Sequence, residues 1–161
     1  MTEHELKTTV KKLMARQLYG VLATQAESGV PHMSIVAFVS ADNLQSLVFV
    51  TPRNSRKYSF LLAQPEVAFF VDDRRERVED LMQVSGVEAH GTARELSAGS
   101  RGHYRALFLA KYPEMLEFVD APGSAMVRIE AQRYDVVNHF QHLLVLRTGP
   151  QSAAPSGEVP S

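Results

Sequence analysis

Residues Val48–Leu62, read VFVTPRNSRKYSFLL, constrain this chain more than any other stretch. An apolar, β-branched run (Leu47–Thr51) stops at Pro52, which cannot donate to a strand ladder. Arg53, Arg56 and Lys57 crowd in directly afterwards among Asn54 and Ser55, and a helical pattern of Tyr58, Leu61 and Leu62 follows. The sequence predicts a strand, a tight turn and a helix start. Helix N-termini carry unpaired N–H groups and the positive end of the helix dipole. Hydroxyl and cationic side chains placed there complete an anion site, most naturally for a phosphate. The plainer alternative is a capped surface helix whose charges are solvated.

The rest of the chain reads as one domain of 161 residues. Leu6, Val10, Leu13, Met14 and Leu18 mark one face of an N-terminal helix. Tyr19–Gln25 reads as a strand, Glu27-Ser28-Gly29 as a turn, and Val30–Ser40 as a second strand closing a hairpin. Ala41-Asp42-Asn43 turns the chain into a strand over Ser46–Thr51. A helix from about Ser55 to Ala63 ends at Pro65. Val67–Asp72 is apolar up to its closing aspartate, a pattern expected of burial on both faces. Arg74–Met82 is a charged connection, and Gln83–Leu96 a long strand whose Gly86 and Gly91 suggest bulges or corners. Ser97–Tyr112 and Pro113–Val119 are helical, and Ala125–Ile129 and Arg133–Leu146 complete the sheet. The Pro/Gly/Ser/Ala-rich tail from Thr148 is expected to be flexible, which puts the folded domain at 1–147 and the tail at 148–161. Strands with helices between and around them imply an α+β fold built on an antiparallel barrel.

Several function classes drop out. There is no cysteine, so thiolate metal sites, iron–sulfur clusters and cysteine nucleophiles are excluded. A net charge of −1 gives no reason to expect nucleic acid or a membrane surface as partner. The charged N-terminus lacks an apolar signal core and no apolar run spans a bilayer, so a cytoplasmic location is expected. No G-x-G-x-x-G, P-loop, H-E-x-x-H or G-x-S-x-G occurs. His139 and His142 are three apart, which on a strand points them to opposite faces, so no metal site is expected there. His32, His90 and His103 read as surface or core residues, although His32 lies beside the strand discussed next.

The order of a GVLAT strand, a PHMSIVAF strand, the block VFVTPRNSRKYSFLLAQPEVAFFVDD and then VEAHGTARELS carries a resemblance. It resembles the pyridoxamine 5′-phosphate oxidase-like, FMN-binding split-barrel family over about residues 15–146. The resemblance implies an antiparallel split β-barrel with peripheral helices, and a homodimer holding FMN at the subunit interface. It aligns Ser55, Arg56 and Lys57 with the phosphate-binding positions, and Val50 and Thr51 with positions lining the flavin. Met33, Ser34, Ile35 and Val36 align with the strand whose backbone runs along the ring. Gln83 replaces a flavin-contacting glutamine if the register shifts, since the nearest aligned residue is Gly86. Leu107, Phe108, Phe118, Val136, Val137 and Phe140 offer apolar surface in excess of one barrel's needs. The C-terminal strand, RYDVVNHFQHLL, lacks the R-x-H that holds substrate in the true oxidase, which speaks against oxidation of pyridoxamine phosphate itself. An FMN-dependent oxidoreductase acting on a small molecule is the function implied. The alternative is a non-catalytic carrier of flavin, deazaflavin or haem on the same fold.

Overall fold

The structure, a computed structural model, describes residues 1–80, 85–138 and 142–149. Gln83, His139, Phe140 and the tail beyond Gly149 lie outside the described residues. Helix α1 (Glu3–Arg16) opens with a capping box: Thr2 Oγ1 accepts from the Glu5 N–H, and the Glu5 carboxylate accepts from the Thr2 N–H. It buries Leu6, Val10, Leu13 and Met14. The helix stops before Leu18, which is exposed instead of continuing the buried stripe.

Among the described residues eight strands follow in one antiparallel sheet: β1 (Tyr19–Gln25), β2 (Pro31–Ala37), β3 (Val39–Ala41), β4 (Ser46–Pro52), β5 (Glu66–Asp72), β6 (Gly86–Glu95), β7 (Ser124–Asn138) and β8 (His142–Arg147). Helix α2 (Arg56–Ala63) separates β4 from β5. Helix α3 (Ala98–Lys111), a 3₁₀ turn at Pro113–Met115 and helix α4 (Leu116–Asp120) separate β6 from β7. The path through the sheet is β2-β1-β5-β6-β7-β4-β3, with β8 also on β7. Its two end strands, β2 and β3, are joined through Phe38, so the sheet must curl back on itself. The result is the antiparallel split β-barrel with peripheral helices that the resemblance implies.

That junction corrects the single strand expected over Val30–Ser40. The Phe38 N–H donates to the Tyr112 hydroxyl at 3.2 Å, and its carbonyl lies 2.7 Å from the same oxygen. Lys111 Nζ adds donations to the carbonyls of Phe38 (3.1 Å), Met14 (3.1 Å) and Gln17 (2.6 Å). Side chains at the C-terminal end of α3 thus take the backbone groups of Phe38 out of the ladder. Burial pushes the Lys111 ammonium down to about 8, while three carbonyl acceptors favour its charged form.

A second correction concerns the last strands. β7 is one continuous strand of 15 residues, without the break expected between Ile129 and Arg133. His90 opposes Arg133 and Gly91 opposes Ala131, which leaves Gln132 as an extra residue, a bulge. There β7 exchanges one edge partner for another: β4 pairs with Ser124–Glu130 and β8 with Arg133–Asn138. Gly91 sits at this bulge as expected; Gly86 does not, and pairs regularly with Asp72 and Val137.

The core lies inside the curl, around Leu22, Phe38, Phe49, Phe69, Ile129 and Tyr134. β4 is buried on both faces, with Leu47 and Phe49 in this core and Val48 and Val50 in a second cluster with Phe108, Tyr112 and Val119. β5 was the strand expected to be buried on both sides, yet it alternates: Val67, Phe69 and Val71 are buried while Phe70 is 40% exposed. Phe70 opposes Val21, which opposes Ile35, so one outward face carries Phe70, Val21, Ile35, Tyr19 and Met33. Phe108 and Val136, expected at the surface, are core residues.

Candidate functional site

The strand–turn–helix block folds as its sequence dictates. Ser55 caps α2, its Oγ accepting from the Tyr58 N–H at 3.3 Å. The buried Thr51 hydroxyl lies 2.7 Å from the same Oγ, tying the end of β4 to the start of the helix. Of the three basic residues, Arg53 is neutralised: its Nε donates to Glu95 at 2.7 Å and its guanidinium to the Pro122 carbonyl at 3.0 Å. Tyr58 bonds the same carboxylate at 3.2 Å.

Arg56 and Lys57 differ. Neither has an acidic partner among the described residues, and the first turn of α2 contains no carboxylate. Two cations at the positive end of a helix dipole oppose each other and the dipole. α1 shows the ordinary arrangement, with Glu3 and Glu5 in its first turn. A local rule broken without internal compensation marks a site.

Both side chains open onto a cleft of about 130 Å³ between α2 and the β1–β2 hairpin. Met33 and Ser34 of β2 line it, and Phe60 of α2 forms one wall. The remaining lining is Thr24 and His32, cross-strand partners in the hairpin. Thr24 is only 3% exposed, and its hydroxyl has no hydrogen-bond partner among the described residues. A buried hydroxyl left unpaired is costly, so this one calls for a partner in the cleft. The His32 ring lies against Phe60, with centroids 4.7 Å apart and planes tilted by 33°. Among the described residues no carboxylate lines this cleft.

The structure therefore brings Arg56, Lys57, Met33 and Ser34 together. Ser55 and Thr51 sit behind them as the cap and its tether. Ile35 lies on the outward face, 71% exposed, where it lines a second cleft of about 460 Å³ with Tyr19 and Phe70. The side chains of Val36 and Val50 point into the main core and the second cluster. β2, first in the sheet path, is bonded to a strand on one side only among the described residues, so its other edge presents backbone donors and acceptors. Sequence reasoning does not single out Thr24, because a threonine in a strand reads as an ordinary β-former. Its pairing with His32 brings it to the site, and that signal lies in the register.

Comparison with known proteins bears on the fold and the family. The family profile described as pyridoxamine 5′-phosphate oxidase matches residues 6–138. No curated protein sequence matches the chain significantly. Among solved structures, a haem-binding protein from Mycobacterium smegmatis superposes with a TM-score of 0.79 at 16% identity, over 91% of this chain and 58% of that one. A Clostridium acetobutylicum protein related to general stress protein 26, of the pyridoxinephosphate oxidase family, gives 0.69 at 16% identity over 91% and 96%. A FAD-binding protein from Mesorhizobium loti gives 0.62 at 20% identity over 80% and 91%. These identities establish a shared fold, and the profile match establishes the lineage: the chain belongs to the pyridoxamine 5′-phosphate oxidase family.

Proposed function

We propose that the chain is an FMN-binding oxidoreductase that works as a homodimer on a small-molecule substrate. The observation that carries this reading is the pair Arg56 and Lys57, unneutralised among the described residues and facing a cleft with an orphaned buried hydroxyl. These groups suit a phosphate monoester: a planar guanidinium fork, a point charge and a hydroxyl donor. When bound, FMN would supply the redox chemistry, and the protein supplies position and electrostatics. Arg56 and Lys57 would anchor the phosphate. The free edge of β2 from Met33 to Val36 would read the polar edge of the ring through its backbone, while Val50 and Thr51 hold the strand end in place. Gln83 is proposed as a further ring contact on the resemblance alone. No side chain is assigned as acid, base or nucleophile.

The outward face of Tyr19, Met33, Ile35 and Phe70 supports a second copy as the partner that covers the ring. Among the described residues no helix is long and apolar enough to cross a membrane. The likeness to a haem-binding protein favours haem as the second reading. Heat-released ligand from purified protein, identified by mass spectrometry alongside the absorption spectrum, separates the two. FMN mass and the paired bands of oxidised flavin are expected. A sharp Soret band would replace FMN with haem.

A further inference from the structure

We propose that the groove between α1, β3 and α3 is a separate ligand site, built for a small carboxylate that carries an aliphatic tail. The groove holds about 580 Å³, inside the range of roughly 300–1,000 Å³ typical of small-molecule sites. It shares no lining residue with the cleft at α2 or with the cleft beside Phe70. Met14 of α1, Val39 and Ala41 of β3, Leu44 of the following turn and Leu107 of α3 form its apolar wall. Lys11 and Lys111 supply its charge, and among the described residues no carboxylate lines it.

The two lysines act differently. The Lys111 ammonium has three N–H donors, and all are spent on the carbonyls of Met14, Gln17 and Phe38. These bonds tie α3 to α1 and to the residue before β3, so the groove is formed in advance of any ligand. Tyr134 fixes the turn in the wall through the Leu44 carbonyl. Lys111 therefore acts on an entering anion by charge alone. Burial makes that charge costly, lowering the ammonium to about 8, and a carboxylate nearby offsets the cost. Lys11, exposed on the rim, has no partner among the described residues. Nor have the side chains of Ser40 and Asn43, which also line the groove. An ammonium, a hydroxyl and an amide are thus free to bond a carboxylate. Charges of one sign between apolar walls focus the field on an anion. A lone free ammonium without a guanidinium fork suits a monoanion better than a phosphate. Among the described residues no aromatic side chain lines the groove, so the body it packs best is aliphatic.

The test is calorimetric titration of the full chain with octanoate and with uncharged octanol. Saturable binding of one octanoate per chain is expected, tighter than that of octanol. Lys11→Glu is expected to weaken octanoate about tenfold and to leave octanol unchanged. Lys11→Arg is expected to keep the native affinity. Ala110→Trp, which fills the groove from an exposed position on α3, is expected to abolish binding of both. Lys11 and Ala110 are both exposed, so each variant should melt with the native chain and bind FMN as it does. Octanoate that does not saturate, or that binds the native, Lys11→Glu and Ala110→Trp chains alike, would overturn the site. Equal affinity for octanoate and octanol would overturn its choice of an anion. Weakened FMN binding in a variant that still melts with the native chain would overturn its separation from the cleft at α2.

Discussion

Tyr134 is fully enclosed by the barrel, and its hydroxyl donates to the Leu44 carbonyl at 2.6 Å. Leu44 ends a run of three left-handed residues, Asp42, Asn43 and Leu44, with φ of 53°, 56° and 72°. The bond therefore secures a turn that its own backbone disfavours. Burial raises the Tyr134 phenol well above its ordinary value. Because the folded form holds its proton more tightly than the unfolded chain, this group's contribution is complete below about pH 10 and declines above it. Lys111, lowered to about 8, works in the opposite sense and adds stability as pH rises from about 8 towards its ordinary value. Urea unfolding between pH 8 and 11 should show a smaller alkaline loss in Tyr134→Phe than in the native chain. At neutral pH the same variant should lose about 1–3 kcal/mol, because the Leu44 carbonyl loses its donor. Identical alkaline slopes would contradict this assignment. The candidate site was partly legible at this scale. The residue types Arg56 and Lys57 at a helix start pointed to an anion, but the removal of Arg53 by Glu95, 42 positions away, could not be read from the sequence.

Among the elements, the β6–β7 ladder shows most clearly what spacing can and cannot reveal. Gly91 lies where β7 bulges, and a Cβ built there would stand 2.2 Å from the Glu130 carbonyl oxygen. Gly91→Ala must displace backbone rather than a side chain, and a loss of about 1–3 kcal/mol or more is expected in thermal or urea unfolding. Native-like stability would mean that the bulge yields freely. The glycine advertised this corner in the sequence. The continuity of β7 was not legible, because whether a strand breaks or bulges at Gln132 depends on which neighbours it pairs with. The β2–β3 junction is similar. Phe38 sits inside an unbroken apolar pattern, and its backbone leaves the ladder for Tyr112 and Lys111, more than seventy residues on. By contrast β1, bounded by local turn signals, and α2, capped by Ser55, fell where their sequences put them.

Over the whole molecule, the outward face of β1, β2 and β5 accounts for the continuous apolar run of β5. Phe70 would be costly at a permanently wet surface, and so would Tyr19, Met33 and Ile35 beside it. Our reading is that a second copy covers this face and that the flavin lies at the seam. Light scattering at micromolar concentration should give twice the chain mass. Ile35→Lys, which places a charge in the apolar patch at a position 71% exposed in the single chain, should shift the mass towards monomer without unfolding the barrel. A native monomer would remove the partner from the proposed site.

The phosphate grip of Arg56 and Lys57 is the central claim, and paired titrations with FMN and riboflavin test it most directly. Charge-assisted hydrogen bonds contribute on the order of 1.5–3 kcal/mol each. Arg56→Ala or Lys57→Ala should therefore weaken FMN binding about tenfold to a hundredfold while the protein stays folded. Riboflavin, which lacks the phosphate, should bind the native chain poorly and respond little to either substitution. Arg105→Ala, on α3 where the guanidinium pairs with Asp120 and lines neither cleft, should leave both ligands unaffected. Equal FMN affinity in the native chain and in both variants would contradict the claim and reduce Arg56 and Lys57 to solvated helix charges.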